Sequence, residues 1–174
     1  MARLEVMIDP GFISRCESWP ADILRERRQE AETFEYKISY TRRLVQGGID
    51  ILEAHLRADD QDCTKDPLAS VKEAISGSLE FMTSRAAYTD VSTAFPLPTA
   101  LEISQFIGFD IEVVLDQPEN IQTNLDKMKA AEVLLSRYRR DLHKVIDALR
   151  HEFVIRYQRG QINVDQIFDH LDTV

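Results

Sequence analysis

Residues 31–52 read AETFEYKISYTRRLVQGGIDIL, and their spacing decides the fold. Ala31, Phe34, Ile38, Thr41, Val45, Gly48 and Leu52 step by 3, 4, 3, 4, 3 and 4. That is the heptad seam of a helix packed on a partner helix. Leu24 extends the stripe backwards, and no proline follows Pro20 before Pro67. A helix is expected over 20–57, with Ser18 as its cap and Pro20 tolerated in the first turn. At ~1.5 Å per residue it is about 55 Å long, so a partner helix has to cover its stripe. The partner lies downstream. Met128, Ala131, Leu135, Tyr138, Leu142, Val145 and Leu149 repeat the same steps. They predict a second helix over 118–159, closed by Gly160 as a C-terminal cap. The expected fold is all-α: two long antiparallel helices forming a coiled coil.

The remaining segments are subordinate to that pair, and the whole of 1–174 is expected to be a single helical domain. The connecting segment, 58–117, opens with the polar run ADDQDCTKD. It lacks the central Gly and terminal Glu spacing of an EF-hand loop and reads as a plain loop. An amphipathic helix is expected over Pro67 to Met82 and a linker over 83–99. The apolar run 100–115 predicts one or two short helices packing on the long ones, with a docking surface as the rival reading. After Gly160, Asn163 and Gln166 are spaced as a capping box for a last short helix. Trp19 reads as an anchor at the start of the first long helix. Tyr40, Tyr138 and Tyr157 read as packing residues.

Composition narrows the function. The 174 residues carry 21 Lys plus Arg and 30 Asp plus Glu, a net charge of −9. Such a chain repels a phosphate backbone, which argues against general nucleic-acid binding. No run of ~18 apolar residues exists to span a membrane. The opening MARLEVMIDPGF lacks the regions of a signal peptide, so a cytoplasmic location is expected. Cys16 and Cys63 form no close-spaced motif, and His55, His151 and His170 show no metal spacing. No phosphate loop, nucleophile elbow or Cys–His arrangement points to catalysis, and the chain reads as a non-enzyme without a metal.

Both long helices carry one polar pattern. The first is Glu35-x3-Ser39-x2-Arg42-x3-Gln46-x3-Asp50; the second is Glu132-x3-Ser136-x2-Arg139-x3-His143-x3-Asp147. At ~100° per residue, the five positions fall at about 0°, 40°, −20°, 20° and 60°, one narrow face. The first four residues of each motif follow a seam residue by one, so polar and apolar stripes run side by side with the same handedness. Taken alone, either stripe is an ordinary solvated helix face with i,i+4 pairs. Two copies with matching spacing, and with Ser (an indifferent helix former) at the same place twice, speak for a built site. Lys127 to Lys144 holds six basic residues against two acidic ones. A local excess of this sign in an acidic chain suits an anion.

The residue types narrow the anion further. Arg forks onto guanine O6 and N7 or pairs with phosphate. Asp and Glu accept from the N–H donors of guanine's Watson–Crick edge. A guanine-bearing, phosphate-bearing and symmetric ligand fits a site made of two matching halves. Gly47 and Gly48, each costly by roughly 1 kcal/mol in mid-helix, leave room for a flat base or a partner backbone.

The doubled signature resembles that of the RsiG family, the cyclic di-GMP-responsive anti-sigma factors of sporulating actinobacteria. YKISYTRRLVQGGIDIL, from Tyr36 to Leu52, is similar to the family's first helix, and RYQRGQINVDQIF, from Arg156 to Phe168, to its C-terminal end. Residues 58–119 carry no resemblance. The likeness implies that a pair of intercalated cyclic di-GMP molecules binds the two stripes. It also implies that the loaded protein sequesters a WhiG-type sigma factor from RNA polymerase, as a transcription regulator of sporulation. Glu35, Ser39, Arg42, Gln46 and Asp50 are then one half-site; Glu132, Ser136, Arg139, His143 and Asp147 are the other. His143 departs from the family's Gln and brings an imidazole, which still offers a donor or an acceptor at a shorter reach. Two motifs in one chain remove the need for a dimer, so the free protein is expected to be a monomer. Two Arg-bearing stripes are expected to repel, with the anionic ligand as the cement between them. The rival is a coiled-coil adaptor that binds a sigma factor or another regulator without any nucleotide.

Overall fold

The computed structural model describes residues 2–59, 95–117 and 120–162. All regular structure among them is helical, as the all-α expectation requires. The helices are α1 (Ala2–Met7), α2 (Pro10–Ile13), α3 (Ala21–Asp59), α4 (Ala100–Ile107), α5 (Ile111–Leu115) and α6 (Ile121–Gln158), with a 3-10 turn at Cys16–Ser18. The helix expected over 67–82, the linker up to residue 94 and the capping-box helix after 162 lie outside the described residues. The chain divides into two compact units, Met1–Tyr36 with Arg137–Val174, and Lys37–Ser136. Both long helices contribute to each unit.

In the unit formed by both chain ends, the first part of α3 packs antiparallel to the last part of α6. Leu24 and Ala31 are buried with Leu142, Val145, Leu149 and Phe153. The N-terminal helices, too short to show a period, close this core with Leu4, Met7, Phe12 and Cys16. Phe12 meets Trp19 edge-on, ring centroids 4.9 Å apart. Ser18 does not cap α3. Its hydroxyl donates to the Arg15 carbonyl at 2.8 Å and closes the preceding turn, while the Pro20 carbonyl accepts the first helical bond from Leu24.

Arg156 ties this unit together. It is buried, bonds Glu152 Oε1 at 2.7 Å, and donates to the carbonyls of Trp19, Cys16 and Glu17 at 2.6, 2.9 and 3.1 Å. A guanidinium with several fixed donors can satisfy three carbonyls and one carboxylate at once; a lysine cannot. The helix ends as expected. Gly160 has φ +68, and the bonds Gly160 N–H to Tyr157 and Gln161 N–H to Arg156 make a Schellman cap.

In the other unit the seams again meet: Ile38, Val45 and Leu52 are buried with Leu125, Met128, Ala131 and Leu135. Thr41 is fully buried in the seam and satisfies its hydroxyl on the Lys37 carbonyl at 2.9 Å. At Gly48 the opposite helix comes close. A Cβ there would lie 2.8 Å from the Met128 methyl, whereas one at Gly47 would meet nothing within 4 Å. The run 100–115 does form two short helices. Thr99 and Glu102 form the capping box of α4, Gly108 ends it at φ +83, and Asp110 caps α5. Phe106, Ile107 and Val114 are buried. Lys37 reaches Glu102 from α3.

The second long helix, expected from 118, runs over Ile121–Gln158 among the described residues. Asp116 ends α5 by donating its N–H to Glu112. Buried Asn124 draws the Val114 and Gln117 carbonyls onto its side-chain amide at 2.9 and 3.3 Å. The Gln117 carbonyl also accepts the Asn120 N–H at 3.3 Å.

Candidate functional site

Seven of the ten motif residues fall into two clusters, one in each unit. In the unit Lys37–Ser136, Arg42 Nε donates to Glu132 Oε1 and is also 2.9 Å from Ser136 Oγ. Ser136 donates in turn to the same carboxylate oxygen at 2.9 Å, and Gln46 Nε2 approaches it at 3.4 Å. One carboxylate oxygen thus gathers three donors from two helices.

The other unit holds the counterpart. Arg139 Nε donates to Glu35 Oε1 at 3.1 Å, and His143 Nε2 lies 3.4 Å from that oxygen. The pairing rule is the same: Arg and Gln, or Arg and His in its place, converge on the Glu of the opposite motif. The second cluster is the more open, with Arg139 and His143 side chains 43% and 48% exposed against 27% for Arg42. Asp50 and Asp147 are exposed and make no ion pair with another described residue. Ser39 is half-buried on the face that carries Arg42 and Gln46.

The structure changes one expectation. The two Arg-bearing stripes do not repel, because each arginine is already matched by a glutamate across the helix pair. The basic excess around 127–144 is partly neutralised in the same way, by Lys129 on Glu53. These pairs are solvent-accessible, and such pairs contribute only ~0.2–1 kcal/mol each. Pairs this weak cost little to rearrange, so the guanidinium groups stay chemically able to fork onto a base or a phosphate.

The cross-helix pairing was not legible in the motif. Its five residues share one face of one helix, and the partner of each is set by the register of two segments about 100 residues apart. The same holds for Lys37 with Glu102. The pair Glu152 and Arg156 left the ordinary i,i+4 signal, yet nothing in it told that the pair is buried.

Other features add no second centre. A concavity bounded by Glu17, Ala21, Glu152, Arg156 and Arg159 lies away from the motif residues and contains the structural Arg156 knot. Among the described residues, no group of three His, Cys, Asp or Glu side chains could hold a metal ion. No helix among them is long and apolar enough to cross a membrane.

A family model described as RsiG-like matches residues 13–75. This span contains the first motif entire, takes in residues 58–75, where the sequence by itself showed no resemblance, and ends before the second motif. The RsiG-like match agrees with the resemblance carried by the first motif and its helix, and a family of that kind suggests an anti-sigma role in regulation, with a sigma factor as the kind of partner. No curated protein and no solved structure matches the chain.

Proposed function

We propose that this protein is an anti-sigma factor that binds cyclic di-GMP through its two motifs and, when loaded, sequesters a WhiG-type sigma factor from RNA polymerase. The carrying observation is the repetition of one polar cluster: Arg42 with Glu132 in one unit and Arg139 with Glu35 in the other. A solvated surface has no need to build the same interhelical arrangement twice. A ligand with two guanines and two phosphates has matching groups to offer each copy: O6 and N7 for an arginine fork, Watson–Crick donors for exposed Asp50 or Asp147. The role needs no bond-making chemistry, and we read the protein as a non-enzyme acting in the cytoplasm on a protein partner.

Calorimetric titration of the full chain with cyclic di-GMP, with and without a WhiG-type sigma factor, tests this reading, with cyclic di-AMP as the control. The expected result is binding of roughly two ligands per chain, tightened by the sigma factor. Silence with both nucleotides, alongside undiminished sigma binding, rejects the ligand. One observation favours that second reading, a nucleotide-free adaptor: both motif arginines are already neutralised within the free chain.

A further inference from the structure

Both motif arginines are gripped on the Nε side by a glutamate of the opposite long helix. Arg42 Nε meets Glu132 at 2.9 Å, and Arg139 Nε meets Glu35 at 3.1 Å. Ser136 closes the first grip into a ring, accepting from Arg42 and donating to Glu132. In each pair the glutamate is the inner member: Glu132 and Glu35 are 23% and 22% exposed, against 27% and 43% for their arginines. A guanidinium held at Nε leaves its Nη1–Nη2 edge outside that bond. That edge is the fork that spans guanine O6 and N7.

We propose that Glu132 and Glu35 are positioning residues rather than base contacts, each orienting the arginine of the opposite motif toward a guanine. The working pairs are then Arg42 with Glu132 and Arg139 with Glu35, so neither motif on its own helix makes a complete half-site. The inference rests on the cyclic di-GMP reading above. It also makes the two grips unequal. Glu132 gathers Arg42, Ser136 and Gln46, while Glu35 holds Arg139 with His143 at 3.4 Å. Arg42 is therefore the better oriented of the two.

The test is a set of double-mutant cycles on the full chain, with affinity for cyclic di-GMP and cyclic di-AMP as readouts and thermal unfolding as the check on folding. Glu132→Gln is expected to weaken cyclic di-GMP binding about tenfold, to add nothing in an Arg42→Ala background, and to keep its whole effect beside Arg139→Ala. Glu35→Gln is expected to show the converse. The preference for guanine over adenine falls with Glu132→Gln only while Arg42 is present, an effect that a general loosening of the helices does not produce. If Glu132→Gln fails to fold, Ser136→Ala breaks the same grip and must show the same dependence on Arg42.

Equal losses in every background mean that the glutamates touch the nucleotide themselves, and overturn the proposal. Tighter binding by Glu132→Gln makes them competitors for the arginines, and overturns it too. Those two outcomes leave the ligand reading standing. An unaltered chain that binds no cyclic di-GMP removes that reading and the proposal together.

Discussion

Arg42 on the first long helix donates from Nε to Glu132 on the second at 2.9 Å. Glu132 opens the second motif and Arg42 stands third in the first, so the bond joins unlike positions of the two copies. Arg139 and Glu35 repeat that relation with the motifs exchanged. The repeat in the sequence is thus a repeat of half-clusters, and antiparallel packing completes each one with residues of the other copy.

Arg156 sets the first stability prediction. Glu152 is buried beside it, and three backbone carbonyls have it as a donor. Arg156→Met leaves a buried carboxylate unpaired, and should cost about 3–5 kcal/mol in a denaturant titration. A loss within about 0.5 kcal/mol would show that water replaces the guanidinium at no cost.

The adjacent glycines should respond in different ways to the same change. Gly47→Ala meets open space and should raise stability by about 1 kcal/mol through helix propensity alone. Gly48→Ala places a methyl against the Met128 methyl, 2.8 Å away, and should forgo that gain as Met128 is forced aside. Equal gains at the two sites in thermal unfolding would mean that Met128 swings away freely.

Lys37 and Glu102 give a pH-dependent term. The hydrogen bond from Lys37, followed by the Thr99 backbone N–H, holds the Glu102 carboxyl below its ordinary value. A depressed folded pKa supplies stability above the unfolded value, and this stability is lost as pH falls through the folded one. The pair is partly exposed and screened by solvent, so Lys37→Met should cost less than about 1 kcal/mol at neutral pH. The gap from the unaltered chain should close as pH falls through the lowered Glu102 pKa. A gap that persists unchanged in acid would assign the loss to packing of the lysine stem.

Cys16 is buried, and burial above all, with the nearby Glu152 and Glu17 charges, raises its thiol pKa. Alkylation of Cys16 in the native protein, followed by peptide mass mapping, should be at least about tenfold slower than in the denatured chain. Comparable rates would mean that the N-terminal helices open readily from the core.

Much of this protein could be read along the chain because the deciding signals are local. The 3–4 steps of both seams locate the buried faces of α3 and α6: Ile38, Val45, Leu135 and Leu142 are all fully buried. Gly160 announced its cap because only a residue without Cβ enters the left-handed region cheaply. The helices α1 and α2 escaped notice, since six and four residues are too few to display a period. Ser18 misled because a hydroxyl caps whatever turn its backbone presents, and here that turn precedes the helix.

Sequence periodicity alone thus settled that two long helices exist, which stripes they bury and which polar residues flank those stripes. Tertiary structure decided which residue faces which. A helix face is fixed by the 3.6-residue repeat of one segment, but the partner across the seam depends on the register of two segments about 100 residues apart. That register brings Glu132 rather than Glu35 to Arg42, neutralises the arginines within the free chain, and sets Gly48 against Met128.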